Sequence, residues 1–130
     1  APGAAAALGA AAASGGGGSW LPVFCFRGLV VSPGEVRAFS LFEPRYLELA
    51  REVWVEGGTK FLCVDGDEPQ AQQQGVMVSM LNCTWQEDER LARVQVRGER
   101  RLRMGAVNCD WGKGGLWYAR EKKKSACAIM

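Results

Sequence analysis

Leu41-Phe42-Glu43-Pro44-Arg45-Tyr46 decides how this chain folds, because a strand runs straight into a helix there. Proline suits a first helical position: its missing N–H has no partner there, and its fixed φ is already helical. The residue before a proline is pushed toward extended backbone, so Leu41 to Glu43 read as the end of a strand. Downstream, Leu47, Ala50 and either Val53 or Trp54 recur every three to four residues, predicting one helix over 44–56. Glu48 with Arg51 or Glu52 falls on its wet side, and Gly57-Gly58 supplies a left-handed cap. So short a helix is not stable alone and must pack on a sheet.

Working outward, Trp20 to Phe26 reads as a buried strand, with Leu29 to Val31 extending it before the Ser32-Pro33-Gly34 turn. A second strand covers 35–42, a third 59–64 and a fourth 75–84, with polar or acidic turns between them. Alternation is clearest from Leu91 to Met104: Ala92, Val94, Val96, Leu102 and Met104 face in, Arg93, Gln95, Arg97, Arg101 and Arg103 face out. Gly98 opens a tight hairpin or marks a bulge in one bent strand. A last strand over 116–119 follows the glycine-rich Gly112–Gly115 loop. Several short strands and one helix predict a mostly β, α+β fold: a small, mostly antiparallel barrel.

Three regions follow from composition. Residues 1–19 are almost all alanine, glycine and serine and cannot bury enough apolar surface to offset ordering entropy, so they read as a disordered segment. Residues 20–120 are the folding unit, and 121–130 a basic tail. The first residue is alanine rather than methionine, which reads as processing or a fragment. No apolar run approaches the roughly 18 residues of a membrane span.

The net charge of +2 hides segregation. Residues 20–89 hold 5 basic and 11 acidic residues, a net of −6; residues 90–103 hold six arginines against Glu99, a net of +5. Without any histidine or a CxxC pair, the five cysteines offer no zinc-site pattern, and no metal or cofactor is expected. Their odd number and wide spacing predict reduced thiols in an intracellular protein, with Cys25 and Cys63 as small core residues.

The chain resembles the N-terminal, substrate-binding domain of Lon proteases. The resemblance rests on Leu21-Pro22-Val23-Phe24, Pro33-Gly34, Phe42-Glu43-Pro44-Arg45-Tyr46, residues 57–61, Gly75-Val76 and Val96-Arg97-Gly98-Glu99-Arg100-Arg101-Leu102-Arg103. It implies a PUA-like β-barrel with one helix that recognises proteins or unfolded peptides, without catalysis of its own. The ATPase and protease parts of Lon have no counterpart, and no GxxxxGK phosphate loop is present. The sequence stops about where the last barrel strands should finish, so closure is expected to be incomplete near the C-terminus.

Candidate sites follow. Glu43, Arg45 and Tyr46 form a recognition site at the helix start, or else serve architecture, with Glu43 complementing the helix dipole and Tyr46 packing. Arg93, Arg97, Arg101 and Arg103 form a basic face suited to acidic partners or, alternatively, to RNA with Trp111, Trp117 and Tyr118 as stacking aromatics. Catalysis has little material, since the acids sit in turns and no histidine exists. Finally, Cys127-Ala128-Ile129-Met130 matches a prenylation pattern behind Lys122-Lys123-Lys124, the third reading being a membrane-tethered adaptor through Cys127.

Overall fold

The computed structural model describes residues 20–122. The segments at 1–19 and 123–130, including the Cys127 motif, lie outside the described residues. Six strands form one sheet: β1 (Leu21–Cys25), β2 (Val36–Leu41), β3 (Lys60–Val64), β4 (Gln74–Gln86), β5 (Leu91–Asp110) and β6 (Leu116–Glu121). Their order is β2-β5-β4-β3-β1-β6, and β5 pairs again with β6, so the last five make a ring with β2 added outside. All pairs are antiparallel except β1 with β3. Closure is uneven, as anticipated near the C-terminus: the β5–β6 register breaks between Met104 and Val107.

Gly98 lies inside β5, not in a hairpin, so that element is one strand of 20 residues. Opposite it, the register with β4 jumps from Met77↔Arg100 to Val78↔Gly98, leaving Glu99 as an extra residue. A one-residue bulge exchanges the faces of everything after it. Ala92, Val94 and Val96 therefore enter a core with Phe24, Phe61, Cys63 and Tyr46, whereas Leu102 and Met104 enter a second core with Val23, Cys25, Leu62 and Val64. A matching bulge at Leu81 keeps β4 aimed correctly, with Val78 and Met80 before it and Cys83 after it in the first core. Strands β1 and β3 are covered on both faces, which explains their unbroken apolar runs.

Two expectations need correction. Leu29 to Val31 do not extend β1; Leu29 and Val31 are buried, yet they belong to a loop crossing the sheet face. The helix is α-helical only over Pro44–Ala50 (α1), and Arg51–Val55 continues it as a π-helix in which the Glu56 N–H reaches back to the Arg51 carbonyl. Its buried side chains are Tyr46, Leu49, Ala50 and Val53, so Val53 and not Trp54 completes the apolar face. Gly57 takes φ +88, the left-handed cap expected of it.

Candidate functional site

Glu43 occupies the N-cap position of α1, but its side chain makes no capping hydrogen bond. It pairs with Arg45 instead, at 3.2 Å, and the Arg45 guanidinium lies 4.6 Å from the centre of the Tyr46 ring. Glu43 therefore caps no backbone N–H of the helix, and its side chain pairs with the arginine that lies over Tyr46. Tyr46 itself is buried and packs edge-on against Phe24, with ring centres 4.7 Å apart. Its hydroxyl accepts from the Cys25 N–H and donates to the Cys25 carbonyl. Burial, with the Cys25 thiol second, pushes the Tyr46 phenol up to about 12. Burial likewise pushes the Cys25 thiol up to about 12 and the Cys63 thiol higher still, as befits thiols packed inside a core.

Next to this cluster runs the loop between β5 and β6. Asp110 is buried and its Oδ1 accepts from the Gly112 N–H, opening a single 3₁₀ turn over Trp111–Lys113. Its Oδ2 is buried and has no hydrogen-bond partner among the described residues. The glycines at 114 and 115 have positive φ, and Arg45 packs against the first. Trp111 is 80 % exposed and lies against the second. Lys113 Nζ meets Glu52 Oε1 at 2.8 Å and the Tyr118 hydroxyl at 3.0 Å, and Tyr118 donates in turn to Glu52. Burial, then this bond to Glu52, raises the Tyr118 phenol. Of the two alternatives for the wet side, Arg51 takes it and pairs with Glu48 at 3.1 Å, whereas Glu52 ties the π-helical turn to β6. These partners are 61 and 66 residues away in sequence, beyond the reach of any local pattern.

The arginines do not make one strip. Because Glu99 bulges out of β5, Arg93 and Arg97 project from the face opposite the first core, and Arg101 and Arg103 from the face opposite the second. Arg97 pairs with Glu99, whose carboxyl is held low chiefly by a hydrogen bond from Ser79. Arg100 makes a bidentate pair with Glu121 at 2.7 Å on each arm, and Arg103 donates to the Gln72 carbonyl. Of the aromatics proposed for stacking, Tyr118 is buried and Trp117 half-buried; Trp111 alone of the three is open to solvent.

A different surface emerges along β2. This strand pairs with β5 on one side and, among the described residues, with no strand on the other. Gly98 N–H donates to the Glu35 carbonyl, so the alternation of an antiparallel ladder turns Arg37, Phe39 and Leu41 toward β5. The N–H and C=O groups of Val36, Ala38 and Ser40 are left pointing outward. Beside this edge Phe39 packs on Phe24, and Phe24 stacks with Phe26, which is 59 % exposed. Val30, also exposed, lies close by, its carbonyl accepting from Arg37 Nη1. The residues Val30 and Phe26 were legible in the sequence only as apolar strand or core candidates.

No protein-family model matches this sequence, and no curated protein matches it. Solved structures do. The Lon N-terminal domain protein from Xanthomonas campestris superposes with a TM-score of 0.62 and 25% identity over 82% of this chain. The fold is that of a Lon N-terminal domain. The N-terminal domain of the Mycobacterium avium complex Lon protease agrees in fold, with a TM-score of 0.58 and 22% identity over 82% of the chain. This Lon N-terminal-like chain spans 62% and 56% of those two chains. Among its described residues no group of His, Cys, Asp or Glu is arranged to hold a metal ion, and no helix is long and apolar enough to cross a membrane.

Proposed function

We propose that this Lon N-terminal-like domain is a non-catalytic recognition module for extended segments of other proteins, built on a PUA-like ring in a reducing, intracellular setting. The observation that carries this reading is the open edge of β2 beside the exposed Phe26 ring. An edge strand offers unpaired N–H and C=O groups at the spacing an incoming extended chain needs, and an adjacent apolar surface takes alternate side chains. A native edge is usually blunted by charge, proline or cover. Here the outward positions are Val36, Ala38 and Ser40, none charged. RNA binding is the weaker reading, since the bulge at Glu99 divides the arginines between two faces and no phosphate track runs along them.

Fluorescence anisotropy of a labelled, carboxymethylated and therefore unfolded polypeptide tests this. The native protein binds it, and binding weakens about tenfold in Ala38→Pro, which removes one outward N–H without touching the β5 ladder. Phe26→Ser weakens it in the same direction. Equal binding by both variants discards the β2 edge as the recognition surface. Tighter, steeply salt-dependent binding to single-stranded RNA favours the nucleic-acid reading instead.

A further inference from the structure

On the face of the sheet away from the first core, β2 and β5 pair Ser40 with Arg93, Ala38 with Gln95 and Val36 with Arg97. All six side chains are exposed, none is acidic and none is aromatic. The two arginines differ. Arg97 already pairs with Glu99 at 3.5 Å, whereas Arg93 makes no ion pair or hydrogen bond among the described residues.

Ser40 is also one of the residues whose N–H and C=O point away from β5, so a segment added antiparallel to β2 sets one residue directly opposite it. The side chain of that residue lies on the same face as Ser40 and Arg93. Opposed Cα atoms lie about 4.5 Å apart where no hydrogen bonds are exchanged and about 5.5 Å apart where they are, which puts the incoming residue about 10 Å from Arg93. An extended arginine and a glutamate close that span between them, and only the small Ser40 side chain stands in the way. The residues on either side of the acid turn to the other face, over Phe39 and toward Phe26 and Val30.

Other occupants fit this edge less well. A second copy, paired two-fold about Ala38, opposes Val36 to Ser40, adds no acid and sets the two Arg37 side chains on a cross-strand diagonal. An RNA strand finds no ring among the six side chains to stack on. A neutral segment gains nothing from Arg93, and a basic one is repelled by it.

We infer that the β2 edge selects an extended segment with a carboxylate opposite Ser40, received by Arg93 across that small residue, and with apolar side chains alternating on the other face. The inference rests on the peptide-recognition reading above and adds to it the class of partner, an alternating acidic and apolar strand. The test is an amide-resolved NMR titration of the isotope-labelled protein, at low salt, with acetyl-Lys-Thr-Val-Glu-Val-Thr-Lys-amide and with the same peptide carrying glutamine for glutamate. Both peptides move the amide signals of Val36, Ala38 and Ser40, and the glutamate peptide binds about fivefold tighter, the upper range for a solvent-facing ion pair. Arg93→Gln removes that ratio, whereas Arg101→Gln, on another face, keeps it; preserved amide dispersion shows that both variants fold. Equal affinity of the native protein for the two peptides, a ratio that survives Arg93→Gln, or no shift in β2 with either peptide overturns the inference. Binding of the unfolded polypeptide that still weakens in Ala38→Pro then shows that edge recognition stands without the acidic preference, and its absence removes the edge as well.

Discussion

The Tyr46 hydroxyl holds both backbone polar groups of Cys25, its N–H at 3.2 Å and its carbonyl at 3.1 Å. The antiparallel pairs Leu21↔Ala119 and Val23↔Trp117 would continue to Cys25 and Gly115, but β6 begins only at Leu116. A phenol from the helix therefore completes the sheet ladder where the neighbouring strand has not yet started. This gives the tyrosine of the Phe-Glu-Pro-Arg-Tyr stretch an architectural reason that packing alone does not supply.

Tyr46→Phe keeps the ring against Phe24 and strands the buried N–H and C=O of Cys25. Each unsatisfied group costs on the order of 1–3 kcal/mol, so the variant loses about 2–6 kcal/mol. Urea unfolding with an unchanged m-value checks this. A loss below about 0.5 kcal/mol would mean that water reaches both groups.

Alkali should unfold the domain in a defined window. The Cys25 thiol rises from 9.0 to about 12 and the Tyr46 phenol from 10.0 to about 12 on folding, so above pH 9 the unfolded chain releases protons that the native one retains. Stability is then complete below about pH 9 and declines as pH climbs toward 12. Cys25→Ala makes the decline shallower. Thermal melts at pH 7, 9, 10 and 11 measure it, and a flat profile refutes the assignment.

Glu52, Lys113 and Tyr118 act as one unit. With its side chain only 11% exposed, Lys113 is left without its counter-charge by Glu52→Ala, at a cost of about 2–3 kcal/mol. Lys113→Met leaves Glu52 with the Tyr118 hydroxyl alone and costs less, since the carboxylate is wetter. A double variant Glu52→Leu with Lys113→Met recovers much of the loss. Additive losses in that cycle would contradict direct coupling.

Gly98→Ala tests the loop that crosses the sheet face. Its Cβ has no space beside the Ser32 carbonyl, so the loop or the β5 bulge must shift, at about 3 kcal/mol or more. Hydrogen exchange should quicken at Gly34 and Glu35, whose N–H groups donate to the Gly98 and Ser32 carbonyls, before the rest of the domain opens. Gly58→Ala, whose Cβ meets nothing nearer than 3.6 Å, is the matched control and costs under about 1 kcal/mol.

The sequence by itself determined the strand-to-helix entry at Pro44, the inward face of Ala92, Val94 and Val96, the cap at Gly57 and the buried state of Cys25 and Cys63. These are local matters: a fixed φ, a two-residue period, a residue without Cβ, a thiol inside an apolar run. Tertiary structure alone decided where the arginines point. One extra residue, Glu99, leaves the alternation looking continuous on paper and yet moves Leu102 and Met104 into another core, because only the pairing with Met77 and Val78 reveals the lost register. It also decided that Leu29 and Val31 cross the sheet as a strap instead of lengthening β1, and that Glu52 turns inward to Lys113 and Tyr118. Nothing within three or four residues selects those outcomes. They follow from which surfaces are left to bury once the ring has closed.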